Sequence, residues 1–491
     1  MKKLNYETLR ESGYTGFLLE KAPNKVLQFG EGNFLRAFAD AFIDQANEKA
    51  GFGGKVVLVQ PIAQGGLKPF FKEQQGLYTL ILRGFENGET IDNRRIISSI
   101  GKYINPYEEF SAFLKEAENP ELRYIVSNTT EAGIAYDSSC KYDDAPQASF
   151  PGKLTRFLHE RWKKHPQKGL VILSCELIDN NGKELESCVQ KHISDWNLEQ
   201  EFIQWLADKC LFCSTLVDRI VTGYPRGDAD TLNRENGYTD NLLDVAEVFG
   251  LWVIEGPAWL EEELPFKRAG LPVRVVADHS PYKRQKVRIL NGAHTSMVCA
   301  AYLSGQDIVR DSVQDALIGD FLKKTMYDEI LPVLDLPKES TAAFAAAVME
   351  RFQNPFVDHA LLSIALNSTS KWKARVLPSL KDYLEKFGKL PPRLVFSLAA
   401  YIAFYKCSRW ENGKLYGQRF GEEYEIMDDA DVLSLFGENK DVSLPDLGKA
   451  VLSSQKLWGE DLTAVPGLLD TVTDYLRDIE TNGMKTAIGN I

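Results

Sequence analysis

At 491 residues the chain is too long for one compact core, and its length implies two or three domains. With 44% hydrophobic and 26% charged residues it has an ordinary globular composition, and a formal charge of −12 argues against a nucleic-acid partner, since phosphate binding needs a basic surface. An anionic small molecule would need a local basic pocket working against that global field.

The N-terminus, Met1-Lys-Lys-Leu-Asn-Tyr-Glu-Thr8, has positive charge but no apolar stretch behind it, so it does not read as a secretory signal. The most apolar run, 394–405, has about 12 residues against the 20 or so that a bilayer requires. Seven scattered cysteines suit free thiols in a reducing compartment. These features together predict a cytoplasmic protein.

The first half alternates short apolar runs with amphipathic segments, as a parallel sheet with crossover helices requires. Strands are predicted at 26–29, 56–59, 78–82, 124–127, 170–175, 251–255 and 273–277, with helices over 34–47 and 107–117 among the crossovers. From Ser280 onward the β-branched runs give way to apolar residues spaced three or four apart, over 312–330, 340–352, 379–387, 392–406 and 464–479. Proline breakers punctuate them at 337, 355 and 391–392. The expected architecture is a doubly wound α/β domain with insertions over residues 1–281, followed by an all-α domain over 282–491.

The first strand runs into a glycine-rich turn, Leu27-Gln-Phe-Gly-Glu-Gly-Asn-Phe34, and then a helix. Gly30 and Gly32 allow the tight turn and close backbone approach that a dinucleotide pyrophosphate needs, and the helix start supplies N–H donors. Leu35 stands where a third glycine would complete the fingerprint, and the second strand ends in Gln60 where an acidic residue usually holds the ribose. Gln60 leaves NAD and NADP both open, because its amide can bond a hydroxyl and no carboxylate is present to repel a 2′-phosphate. The candidate cofactor contacts are Gln28, Phe29, Gly30, Glu31, Gly32, Asn33, Phe34, Leu35, Arg36 and Gln60, joined by Asn128, Thr129 and Thr130 of Ser127-Asn-Thr-Thr-Glu131, which follows a strand end. Another strand end leads into Ser174-Cys-Glu-Leu-Ile-Asp-Asn-Asn181-Gly182, which offers amide donors. Cys210 and Cys213 lack a second ligand pair and read as buried thiols, so no metal is expected.

Just beyond the predicted boundary lies Lys286-Val-Arg-Ile-Leu-Asn-Gly-Ala-His294. On an α-helix Lys286, Asn291 and His294 project at roughly 0°, 140° and 80°, within one half of the surroundings. A lysine near 10.4 is a poor base at neutral pH, so proton chemistry at Lys286 requires desolvation and nearby cations, for which Lys283, Arg284 and Arg288 are available.

Taken together, Lys286-x4-Asn291-x2-His294, the Gly30-Glu-Gly-Asn-Phe-Leu-Arg36 turn, Val217-Asp-Arg-Ile220 and Arg351-Phe-Gln-Asn-Pro355 resemble, in order and along nearly the whole chain, the motifs of the polyol-specific long-chain dehydrogenases, the mannitol dehydrogenase family. That resemblance implies a Rossmann-like N-terminal domain and zinc-independent, NAD-linked hydride transfer, here on a keto-uronate that becomes an aldonate. It further implies Lys286 as general acid and base, Asn291 and Asn181 as polarisers of the carbonyl oxygen, His294 as a substrate-orienting donor and Asp218 at the edge of the site. Two positions depart from the polyol pattern: Lys371 fits a substrate-binding lysine, but Ser363 stands where an arginine precedes it, and Lys283 replaces an acidic residue associated with proton passage. Lys283 and Lys371 thereby become candidates for holding a substrate carboxylate. A sister keto-uronate, a neutral polyol and a catalytically silent nucleotide sensor remain the alternatives.

Overall fold

Each of the seven apolar runs picked out in the first half forms a strand in the computed structural model, which describes residues 1–130 and 132–491. Glu131, the last residue of the Ser127 motif, lies outside the described residues. The chain divides into two units, Met1–Gly84 with Ile91–Ser280, and Phe85–Thr90 with Pro281–Ile491.

Strands of the first unit are β1 (Asn24–Phe29), β2 (Lys55–Val59), β3 (Tyr78–Glu86), β4 (Glu89–Ile97), β5 (Ile100–Ile104), β6 (Tyr124–Ser127), β7 (Val171–Ser174), β8 (Leu211–Asp218), β9 (Val221–Gly223), β10 (Asp244–Glu247), β11 (Leu251–Glu255) and β12 (Val273–Val276). Eight of them form one sheet in the order β12-β11-β8-β7-β6-β1-β2-β5. The pairs from β8 through β5 are parallel, and the registers place Phe29 beside Val59 and Ser127, and Ser127 beside Ser174. The carboxyl ends of the central strands are therefore level. The chain reverses direction across the sheet between β1 and β6, which makes that rim the expected ligand crevice.

Alternation along the strands separates two cores. Val26, Leu58, Val126 and Leu173 belong to one, while Leu27, Phe29, Val57, Val59, Ile125 and Ile172 belong to the other. Burial on both faces is why these strands read as continuous apolar runs.

The structure departs from expectation in several places. The 78–82 run belongs to a second sheet, β4-β3-β10-β9, and β5 takes the edge of the main one. The 251–255 strand pairs antiparallel with β8. In the second unit the 312–330 stretch is interrupted at Asp315, whose carboxylate accepts from the N–H groups of Leu317 and Ile318 and so starts a new helix, Ala316–Lys324. A three-stranded antiparallel sheet, Arg409–Glu411, Lys414–Arg419 and Glu422–Ile426, interrupts the helices there. Its first turn is Asn412-Gly413 with both φ values positive, the ordinary signal of a tight hairpin. Among the described residues no helix is long and apolar enough to cross a membrane.

Arg161, fully buried on the helix Phe150–Lys164, donates to the carbonyls of Ala117, Asn119 and Leu122 at 3.0, 2.6 and 2.9 Å, tying that helix to the loop that feeds β6. Arg161→Leu would remove all three bonds, leaving the Asn119 carbonyl only its bond from the Leu122 N–H among the described residues. It is expected to lower the unfolding free energy by about 3 kcal/mol or more, measured by urea denaturation.

Candidate active site

The glycine turn of the first unit is built from below. Gly30 has φ +119°, and a Cβ there would lie 2.8 Å from the Asn128 carbonyl oxygen, so only glycine lets these two strand ends approach. Gly32 and Asn33 are exposed, and nothing lies within 4 Å of a Cβ placed on Gly32. A helix then runs from Asn33 to Ala50, with its N–H groups facing the rim. A backbone cradle with open space above it fits the pyrophosphate of a dinucleotide.

Beneath the turn, Gln28 donates through Nε2 to the Gly30 carbonyl at 3.0 Å and to Asp40 Oδ2 at 3.1 Å, all within the protein interior. The first turns of the helix, Arg36–Asp40, are π-wound. Their carbonyls are taken by side chains, Arg36 by the Tyr78 hydroxyl (2.7 Å), Ala37 by Arg219 (2.6 Å) and Asp40 by Ser99 (2.9 Å). Burial pushes the Asp40 carboxyl up to about 8, with the neighbouring Asp244 adding to it and Gln28 and Arg36 opposing. Asp244 is raised to about 7 by the same cause, although Arg36 stands 3.7 Å away.

Other predicted contacts resolve less favourably. Arg36 is buried and donates to the Leu242 carbonyl and to Asn33, with its guanidinium over the Tyr78 ring, so it holds the turn and is not presented to a phosphate. Phe29 and Leu35 are core residues, and Phe34 stacks on Phe38. Gln60 donates to the carbonyls of Ile62 and Ala63 and accepts from Tyr103, which leaves its amide committed to its own loop and not to a ribose. Glu31 is half-buried, its carboxyl raised by burial. Asn128 donates to the Cys175 carbonyl, and Thr129 bonds Glu176 through both N–H and hydroxyl. Thr130 takes a left-handed backbone, φ +80°.

Asn181 is the clearest correction. Both of its N–H groups are used, on the carbonyls of Glu176 (2.9 Å) and Thr215 (3.0 Å), and its oxygen accepts from the N–H groups of Gly182 and Thr215. Its amide pins the start of the helix Asn181–Asp195 to β8 and has nothing left for a substrate carbonyl. Asn180 beside it is exposed, with φ +51° and a side chain that caps nothing. Asp218 is buried at the end of β8. Burial holds the Cys210 and Cys213 thiols at about 12, as structural cysteines. Among the described residues, Glu255, Asp278 and His279 have ligand atoms close together, but Glu255 already pairs with Lys183 and bonds His279.

In the second unit Lys286–Asn291 forms a π segment between the helices Ser280–Gln285 and Gly292–Leu303. π-winding turns less per residue than an α-helix, so the 0°, 140° and 80° projection does not apply across it. The Gly292 N–H reaches back to the Val287 and Ile289 carbonyls, and a Cβ on Gly292 would be only 3.3 Å from the Arg375 carbonyl oxygen. Lys286 and Asn291 are half-buried, and the Asn291 amide has no hydrogen-bond partner among the described residues. His294 stacks on Phe352 at 4.0 Å and meets His359 edge-on at 5.5 Å. Burial, then His359, Arg351 and Arg375, hold His294 well below its ordinary value, and its Nε2 is enclosed without a partner. It is a neutral imidazole.

Around Lys371 the second unit also supplies two residues that sequence reading passed over, His359 and Arg375. His359 is held low by burial and by Lys371, and Lys371 is in turn lowered by burial and Arg375. Lys371 Nζ donates to the Ile364 carbonyl, and Arg375 reaches Thr295 Oγ1 at 3.4 Å. Arg351, Lys371 and Arg375 thus gather cations around the two histidines in an acidic chain. Ser363 is exposed, and Lys283 is half-buried near the start of the same helix as Lys286. Phe352 and Arg351 explain the Arg-Phe-x-Asn-Pro motif, one as the stacking floor of His294 and the other as a charge beside it.

Residues 24–268 match the mannitol dehydrogenase Rossmann domain and residues 278–480 the mannitol dehydrogenase C-terminal domain. The chain belongs to the mannitol dehydrogenase family. An altronate oxidoreductase of Klebsiella pneumoniae (strain 342) is 48% identical, with 95% of this chain and 96% of the relative covered. One from Pectobacterium atrosepticum is 46% identical over 98% and 99%. A substrate-free D-sorbitol dehydrogenase structure superposes with a TM-score of 0.81 at 23% identity over 99% of this chain and all of the other. The mannitol 2-dehydrogenase of Pseudomonas fluorescens, a ternary complex with NAD and D-mannitol, gives 0.68 at 20% identity over 99% of each. These two show that the family fold extends across the whole chain.

The Asp40 carboxyl yields a test of the turn's foundation. The folded chain keeps this proton up to about pH 8, whereas an unfolded aspartate releases it near 3.8. Its contribution to stability is therefore complete below about pH 4 and is lost as pH rises toward 8. In Asp40→Asn that dependence should vanish, so wild type should lose stability relative to the variant between about pH 5 and 8, read from urea titrations across the range.

Proposed function

We propose that this member of the family interconverts D-tagaturonate and D-altronate with NAD as the redox partner, the activity named for the altronate oxidoreductases it resembles over nearly its full length. The observation that carries the assignment of roles is the set on the helix from 280 to 303: a lysine, an amide without a partner among the described residues and a neutral histidine, with cations nearby. Its free thiols suit a reducing compartment, and we place it in the cytoplasm.

The Gly30 cradle, with Gly32 and Asn33 open to solvent, would hold the pyrophosphate. Ile62 and Leu177, exposed after β2 and β7, would cover the flat rings. When bound, NADH supplies a hydride to the ketone carbon. Lys286 gives its proton to the oxygen as the alkoxide develops, and takes it back in the oxidising direction. The Asn291 amide donates to that oxygen, where charge accumulates, in the manner of an oxyanion hole. His294, kept neutral, offers one N–H to a substrate hydroxyl and repels no proton from Lys286. Asn180 is a better second amide than Asn181, whose donors are taken. Arg375 and Lys371, with Lys283, would hold the carboxylate that distinguishes a uronate from a neutral ketose.

Lys286→Ala should lower kcat by about a thousandfold while NADH affinity, followed by fluorescence titration, stays near wild type. Turnover close to wild type in that variant would refute the lysine's role. A spectrophotometric panel of D-tagaturonate, D-fructuronate and D-fructose with NADH and NADPH tests the substrate directly, and D-tagaturonate with NADH is expected to be fastest. Arg375→Gln should raise KM for D-tagaturonate by roughly 10- to 100-fold through loss of a charge-assisted contact, with little change toward D-fructose.

A further inference from the structure

The first unit contains a cavity of about 460 Å³ that the mechanism above does not use. Tyr6, Glu20, Phe71 and Tyr103 line it together with five lysines, Lys21, Lys55, Lys68, Lys72 and Lys102. Five ammonium groups around one cavity run against the chain's net charge of −12. Lys55 opens β2, and Ile100 and Gly101, also on the wall, open β5, so the cavity reaches the amino ends of these strands, while the glycine turn follows the carboxyl end of β1, the neighbour of β2. Along β2 the separation from Lys55 to Val59 is about 13 Å. This is a different place from the glycine cradle.

The lysines are not equivalent. Lys68 pairs with Glu108 and Glu109 at 2.7 and 2.8 Å, and Lys102 with Glu116 at 2.7 Å. Lys21 and Lys72 are exposed and have no ion-pair partner among the described residues. Lys55 is 5% exposed, and its ammonium donates to the Glu20 carbonyl (3.2 Å) and the Tyr6 hydroxyl (3.4 Å). Glu20, the one carboxylate on the wall, pairs with Arg10. Burial lowers the Lys55 ammonium while Asp44 and Glu20 oppose it from a distance, and with no carboxylate in ion-pair contact among the described residues its burial is costly unless something anionic completes its shell.

We propose that this cavity binds a small organic polyanion, of the size and charge of a sugar bisphosphate or a tricarboxylate, and that its occupancy is felt at the nucleotide turn through Tyr103. Ammonium groups from the N-terminal segment, β2, the helix Lys68–Glu73 and β5 converge as separate point charges, which suits several anionic groups on one compact molecule better than a single planar carboxylate. The volume falls in the range of small-molecule sites. Tyr103 stacks on Phe71 within the wall, and its hydroxyl leaves the cavity to reach Gln60 Oε1 at 2.9 Å and Glu31 Oε1 at 3.4 Å. A ligand that shifts the ring therefore shifts the residue that follows β2 and a residue of the glycine turn.

The second half of this inference rests on the cofactor assignment above; the first half does not. Isothermal titration of the full chain without cofactor, at fixed ionic strength, with fructose 1,6-bisphosphate and separately with citrate, should give saturable one-to-one binding, and the stronger of the two identifies phosphoryl or carboxylate preference. Lys21→Ala/Lys72→Ala removes two exposed side chains, should leave folding and turnover unchanged, and should weaken that binding by roughly tenfold or more. Failure of both anions to saturate, displacement by sodium chloride at equal ionic strength, or full affinity in the double variant overturns the site. Saturating anion should change NADH affinity by about fivefold in wild type and not in Tyr103→Phe, which should still bind the anion. An unchanged NADH affinity in wild type overturns the coupling alone, whereas absence of NADH binding under all conditions refutes the cofactor assignment and leaves the anion site standing.

Discussion

The hydrogen bond from Gln28 to the Gly30 carbonyl is the constraint on which the glycine turn rests. Gln28 is fixed because Asp40 accepts its second N–H, and Asp40 is in reach because the helix between Arg36 and Asp40 is π-wound. That winding has its own cause: Tyr78, Arg219 and Ser99, from three different segments, take carbonyls that an α-helix would have used internally. The Val-Asp-Arg-Ile segment, far away in sequence, thus acts through Arg219 on the backbone just beneath the turn. Position 30 in turn tolerates no side chain, since the Asn128 carbonyl closes over it.

The second unit repeats the device with different chemistry. Its π segment, Lys286–Asn291, carries the proposed acid at one end and the free amide at the other, and the next α-helical turn places His294 on the Phe352 ring. Burial lowers both histidines first; Arg351 and Arg375 add to it at His294 and Lys371 at His359, and these are charges of the sign that attracts a carboxylate. One cluster of cations therefore tunes the imidazoles and, in the proposed function, holds the carboxylate of the substrate. Asn181 and Asn291 show how environment separates identical side chains: one amide is exhausted on backbone groups, and the other has no hydrogen-bond partner among the described residues.

Much of this was legible in the residues. The β-branched runs marked the central strands because a sheet covered on both faces needs apolar side chains at every position, and the loss of such runs after Ser280 marked the helical unit. Gly30 and the Lys-Asn-His spacing were visible because each demands particular residue types. Strands such as Glu89–Ile97 and Leu211–Asp218 escaped notice: the first alternates charged residues on an exposed hairpin, and the second was read for its cysteines. The Asn412-Gly413 hairpin carried its ordinary signal and was simply outweighed by the helices around it.

By itself the sequence determined the fold class of the two units and the glycine turn, and it supplied the candidates for proton handling, since periodicity and residue chemistry are local properties. Only the tertiary structure decided which polar groups are spent and which are available. Arg36, Gln60 and Asn181 looked like ligand contacts, yet their hydrogen bonds go to Leu242, Ile62, Ala63, Glu176 and Thr215. The partners of Arg36 and Asn181 include residues remote in the chain, and a donor's capacity is exhausted by whichever acceptor folding brings within 3 Å. The gathering of Arg351, His359, Lys371 and Arg375 around His294, and of five lysines around one cavity, has the same origin, because charge density in space is a sum over segments that no window of sequence contains.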